Sequence, residues 1–145
     1  MKKQLLFCAF VGTMTACQRE TDIQPASATL ATEVAGTYRT NVYLDPSRVA
    51  VPTEQMPYTE LKAESDSSVT LVYNTKYLTP TSQAIQHVRL SRQADLIQLL
   101  VADSSIGTLQ TDRVFTNDGM EKQGKLLRIN VQTDSKTRLN FSGVK

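Results

Sequence analysis

A single histidine, two cysteines and 14 carboxylates are the groups through which this 145-residue chain could do chemistry. His87 lies in Ile85-Gln86-His87-Val88-Arg89-Leu90, where strand alternation would put it on the face of Ile85 and Arg89. Metal binding or general-base work needs partners, and the sequence supplies no second histidine. Arg89 and Arg92 nearby disfavour a bound cation, so His87 reads as a solvated strand residue. Serines are frequent, yet no Gly-x-Ser-x-Gly elbow and no Ser-x-x-Lys occurs. Asp66-Ser67-Ser68 and Asp103-Ser104-Ser105 have turn composition, and Asn117-Asp118-Gly119 suits a turn with positive φ rather than a calcium loop. Paired acids for hydrolysis would be brought together only in space, and nothing nominates two of the carboxylates. The expectation is a protein that is not an enzyme, with no catalytic residue, no metal and no cofactor.

Cys17 is the thiol with a distinctive setting. A basic Met1-Lys2-Lys3 precedes the apolar run Leu5–Val11, which is far shorter than the about 20 residues needed to span a bilayer. Met14-Thr15-Ala16-Cys17 then closes the segment and resembles the lipobox of bacterial lipoproteins. Met14 stands where that family usually has Leu. The resemblance implies removal of residues 1–16 as a signal peptide, acylation of Cys17 (diacylglycerol, palmitate) and anchoring in the cell envelope. Gln18 after the Cys implies the outer membrane by the sorting pattern of enterobacterial lipoproteins. An ordinary signal-peptidase site next to a cysteine is the competing account.

Loss of residues 1–16 would take Lys2, Lys3 and Cys8 with it. The formal charge of +2 on the whole chain would vanish, removing any global argument for nucleic acid. No disulfide would be possible, so the domain must stand on its own core. Charge is nevertheless uneven: Cys17–Asp112 holds 7 basic and 11 acidic residues, Arg113–Lys145 7 and 3. The basic end suits either an acidic envelope partner or a solvated outer strand face.

Residues 17–33 are polar and small, contain Pro25 and show no sustained period, which predicts a flexible tether. Residues 34–145 carry alternating runs separated by turn clusters. Tyr38, Thr40, Val42 and Leu44 alternate with polar neighbours; Leu61 and Ala63 follow, then Val69, Leu71 and Tyr73. Further runs cover Ala84–Arg92, Leu96–Val101, Thr108–Phe115, Lys125–Gln132 and Thr137–Phe141. The pattern predicts an all-β, single antiparallel meander, as an eight-stranded barrel or a β-sandwich. Gln93–Ala102 is rich in helix formers and could follow Ser91 as an N-cap; a strand buried on both faces fits its surroundings better. For the last hairpin, a three-residue loop at Asp134-Ser135-Lys136 pairs Val131 with Leu139, Asn130 with Asn140 and Ile129 with Phe141. A two-residue loop would mix the faces, so the first register is expected.

Gly36-Thr37-Tyr38 at the first strand is similar to the Gly-x-Trp that opens lipocalins, and the long loop Asp45–Pro57 falls where they carry a lid. Thr111-Asp112 falls where their Thr-Asp-Tyr turn would come, and Arg138 near their late Arg. The chain has no Trp, Arg113 replaces the Tyr, and no length remains for a C-terminal helix. The weak resemblance implies a lipocalin-like barrel binding a small apolar ligand or an envelope component. Tyr38, Val42, Leu71, Tyr73, Ile129 and Phe141 are the candidate interior; a filled core is the competing reading and the favoured one, because small barrels are often packed solid. The alternative is a structural or interaction subunit that docks on an envelope complex without a small ligand. Val49, Val51 and Met56 would form the apolar underside of the lid.

Overall fold

A computed structural model describes residues 28–135 and 137–145. Cys17, the expected signal peptide and most of the expected tether lie outside the described residues. The chain forms a closed barrel of eight antiparallel strands in meander order, not a sandwich. The strands are β1 Gly36–Arg39, β2 Tyr58–Ser65, β3 Ser68–Thr75, β4 Thr81–Gln93, β5 Leu96–Val101, β6 Ser104–Phe115, β7 Glu121–Gln132 and β8 Arg138–Val144. Closure removes free edges wherever the first and last strands pair. Here that seam is short: Arg39 opposite Val144 is the one described pair between β1 and β8.

Turn chemistry sets the register. Ala102 and Asp103 have φ of 47° and 65°, two successive left-handed residues whose twist matches a tight β5–β6 hairpin. The turn therefore precedes the expected Asp103-Ser104-Ser105, and Ser104 already belongs to β6. Gly119, at φ 76°, supplies the expected positive φ between β6 and β7. The last hairpin has the expected register: Val131 opposes Leu139, Asn130 opposes Asn140 and Ile129 opposes Phe141.

Alternate side chains fill the barrel. Tyr38, Leu61, Val69, Leu71, Val88, Leu90, Ile97, Leu99, Leu109, Leu127, Ile129, Leu139 and Phe141 belong to one buried cluster. A short helix, α1 (Leu30–Val34), adds Ala31 and Val34, both fully buried. Thr29 caps it by accepting from the Thr32 N–H at 3.3 Å. Ala31 N–H donates to the Asp66 carbonyl in the β2–β3 turn, fixing α1 against that end. The expected tether thus ends early: residues 29–33 are part of the domain, because Leu30, Ala31 and Val34 share one helical face.

Five further expectations are corrected. β1 stops at Arg39, since the Asn41 carboxamide accepts from the Tyr43 and Leu44 N–H groups at 3.0 and 3.1 Å and turns the chain away. Val42 sits half-buried in that turn, outside the core cluster. β5 is a strand, but Ile97 and Leu99 enter the core while Leu96, Gln98 and Leu100 are half-buried outside it. β4 carries a bulge, so that Gln86 and His87 together face Thr70; Ile85 packs on the core and His87 shares the outer face with exposed Arg89. Thr111-Asp112 lies inside β6, not at a turn.

Candidate functional site

The two ends of the barrel are built differently. At the α1 end the Tyr38 hydroxyl donates to the Val34 carbonyl at 2.6 Å, and Lys125 donates to the Glu33 carbonyl at 2.8 Å. Glu33 also pairs with Arg92, and Lys145 reaches the Ala35 carbonyl. Burial, reinforced by the Glu33 charge, holds the Tyr38 phenol far above the ordinary range. This end is sealed.

The other end holds a cleft of about 630 Å³. One wall is the segment after β1: Thr40, Leu44, Asp45, Ser47 and Arg48, with Pro57 leading into β2. The opposite wall is Thr137–Ser142, and Tyr73, Thr81 and Gln83 from β3 and β4 complete it. Strand pairing explains the polar floor. Tyr38 opposes Thr59, Thr59 opposes Tyr73 and Tyr73 opposes Gln83, which sets one row of four side chains across four strands. The row starts with a phenol used by α1 and ends in the cleft.

Thr40 is the notable lining residue. It is 5% exposed, and its hydroxyl has no hydrogen-bond partner among the described residues. The buried Thr59 hydroxyl in the neighbouring strand is likewise unpartnered. Leaving such a group unpaired costs about 1–3 kcal/mol, whereas an apolar side chain there would cost nothing of the kind. Asp45 and Arg48 face each other at 3.2 Å across the start of the loop, in a short 3-10 turn (Pro46–Arg48) that Asp45 caps through the Ser47 N–H. Burial would raise the Asp45 carboxyl, but bonds from Ser47 and Arg48 outweigh it and hold the pKa below the ordinary value. Burial raises the Tyr73 phenol, with Arg48 opposing and Asp45 adding to the shift. Tyr73 meets Phe141 edge-on, ring centroids 5.7 Å apart. The cleft therefore offers two aromatic rings, aliphatic Leu44 and Leu139 and a neutralised ion pair, with the Thr40 hydroxyl buried in its wall.

The structure divides the candidate interior. Tyr38, Leu71 and Ile129 are buried in the filled core. Tyr73 and Phe141 reach the cleft, and Val42 belongs to neither. The loop Asp45–Pro57 does contribute to the cleft wall; Val51 and Met56 are buried beneath it, but Val49 is 77% exposed. Arg138 lies on the outer face, donating to the Asn130 carboxamide oxygen at 2.8 Å. Thr40, Gln83 and Arg48 were missed as site residues, although Thr40 stands two residues beyond inward Tyr38. A hydroxyl at an inward strand position was the available signal.

His87 is exposed on its bulge, with Nδ1 3.1 Å from Glu64, which also accepts from Thr70. Among the described residues no group of His, Cys, Asp and Glu could hold a metal ion. Comparison with protein-family models, with curated proteins and with solved structures found no match.

Proposed function

We propose that this protein is a lipid-anchored lipoprotein of the bacterial outer membrane whose lipocalin-like barrel is a non-enzymatic binding module. Its ligand is a small amphipathic molecule held in the mouth cleft. Met14-Thr15-Ala16-Cys17 behind a short apolar run supports the anchor. The buried, unpartnered Thr40 hydroxyl in the cleft wall is the observation that carries the binding reading. Beyond the cleft the apolar side chains form one buried cluster, so the ligand is placed at the mouth rather than deep in the barrel. Tyr73 and Phe141 would cover its apolar part, while Thr40 and Gln83 would hydrogen-bond its polar group.

Two measurements test this. Cys17→Ser should abolish palmitate labelling and release the protein from membranes. Unchanged fractionation together with an unlabelled parent would refute the anchor. A dansyl-labelled fatty acid should bind the full-length protein saturably, and Thr40→Val should weaken it about tenfold, the worth of one buried hydrogen bond. A folded parent that never binds the probe would favour an interaction subunit. The exposed trio Tyr43, Phe115 and Met120 on and beside the β6–β7 hairpin supports that second reading.

A further inference from the structure

Among the described residues, the seam of the barrel leaves part of β8 without a neighbour. At the hairpin the Thr133 N–H donates to the Thr137 carbonyl at 3.0 Å, and Lys125 and Lys145 exchange both bonds at 3.3 and 3.1 Å. The register between those points is unbroken. Antiparallel geometry then requires Leu139, Phe141 and Gly143 to turn their backbone groups to β7. Arg138, Asn140 and Ser142 must turn theirs the other way, toward β1. Yet β1 has already ended: among the described residues its one pair with β8 is Arg39 with Val144. Asn41 holds the departing chain by its bonds to Tyr43 and Leu44 and by donating to the Phe115 carbonyl at 2.7 Å. The stretch Thr137–Ser142 consequently forms one wall of the mouth cleft with a bare edge. Six residues at about 3.4 Å each make that edge about 20 Å long.

Its side chains give the edge a two-sided character. On the outer face Arg138, Asn140 and Ser142 stand opposite Gln132, Asn130 and Arg128 of β7. Arg128 and Arg138 are exposed, and neither forms an ion pair among the described residues. They line one shallow groove with Ser105, Thr108 and Asn130. Gly107 keeps that groove low, because a Cβ there would run into the Arg128 carbonyl oxygen. On the inner face Leu139 and Phe141 look into the cleft toward Leu44 and Tyr73. A strand added here would present alternate side chains to a basic surface and to an apolar one.

We propose that the bare β8 edge is a docking strand for an extended segment of a partner protein, with acidic side chains at alternate positions beside Arg138 and Arg128 and apolar ones between them entering the cleft. This does not depend on the small-ligand reading, since the edge is read out by backbone amides and the mouth by the fatty-acid probe. The basic end of the chain thereby acquires a specific role: the outer row selects acidic partners, and the edge supplies main-chain bonds.

The probe is a blocked heptapeptide alternating glutamate and valine, with a lysine–valine peptide as control. Titrated into the full chain, the acidic peptide should slow hydrogen exchange at the Asn140 and Ser142 amides at least tenfold and leave Leu126, whose backbone faces β6 opposite Gln110, unchanged. The lysine peptide should bind at least tenfold more weakly. Asn140→Pro removes one edge N–H without touching the β7 ladder, a substitution edge strands tolerate. It should abolish binding, while Asn140→Ala retains it; should the proline variant fail to fold, amide exchange in the parent decides. Arg138→Glu should reverse the peptide preference. Absence of slowed exchange at millimolar acidic peptide, equal binding of both peptides, or a folded Asn140→Pro that binds as before would each overturn the proposal. So would dimerisation of the parent that Asn140→Pro abolishes, which would assign the edge to a second copy.

Discussion

The α1 end and the mouth are made from the same kind of strand residues and reach opposite solutions. At the α1 end Tyr38 donates to Val34, and Lys125 and Lys145 tie down the carbonyls of Glu33 and Ala35. At the mouth, one residue past the end of β1, Thr40 is buried with its hydroxyl idle, and Asn41 diverts the chain before it can pair with β8. One end is capped and tied down; the other keeps an unsatisfied hydroxyl beside a larger open cleft. Such local disagreement between burial and bonding marks where a fold serves something besides its own stability.

The largest effect should come from removing the shared pillar of the sealed end. Tyr38 is fully buried, packs in the core cluster and anchors α1. Tyr38→Ala should cost about 3–5 kcal/mol in denaturant melts. Tyr73, two strands along the same row but half-buried at the rim, should cost clearly less as Tyr73→Ala. Equal losses would mean that the mouth is structural rather than reserved for a ligand.

A pH titration sharpens the same contrast. Both phenols have pKa values raised above 10.0, chiefly by burial, and Tyr38 by far the more. A raised pKa means that the unfolded chain ionises first, so stability is complete below about pH 10 and drains away as pH rises further. Alkaline unfolding should therefore begin above about pH 10 and be governed by Tyr38. Tyr38→Phe should flatten most of that dependence, and Tyr73→Phe little of it. The reverse order, read from melts between pH 9 and 12, would place the deeper burial at the mouth.

Which parts were legible follows from where the chain leaves slack. In the β7–β8 hairpin a slip of one residue would expose Ile129 and Phe141 together, so one register survives, and it is the one observed. At β4 the alternation reads smoothly through Gln86-His87, because a bulge adds a residue without changing composition; only the pairing with Thr70 reveals it. α1 hid behind small residues: Leu30 and Ala31 look like tether until the barrel end supplies an apolar surface for Ala31 and Val34. The mouth was the least legible. Thr40, Tyr73, Gln83 and Asn140 are ordinary strand residues one by one, and the cleft exists only because Asn41 ends β1 early.

The smallest effect is also the most discriminating. Thr40→Val keeps the shape and β-branching of the side chain and replaces an unpartnered buried hydroxyl by a methyl group. If the hydroxyl serves only the fold, nothing should change in binding and little in stability. If it is held for a ligand, removing it should relieve desolvation and stabilise the free protein by about 1 kcal/mol. The same substitution should weaken the dansyl fatty acid about tenfold, because the bound polar group then loses its partner. Stability and affinity would move in opposite directions, as they do where a site keeps a strained or unsatisfied group for function. A threonine placed for packing alone cannot produce that pairing. A Thr40→Val protein that is destabilised, or that binds the probe as well as the parent, would show that the open end differs from the sealed one in shape but not in purpose.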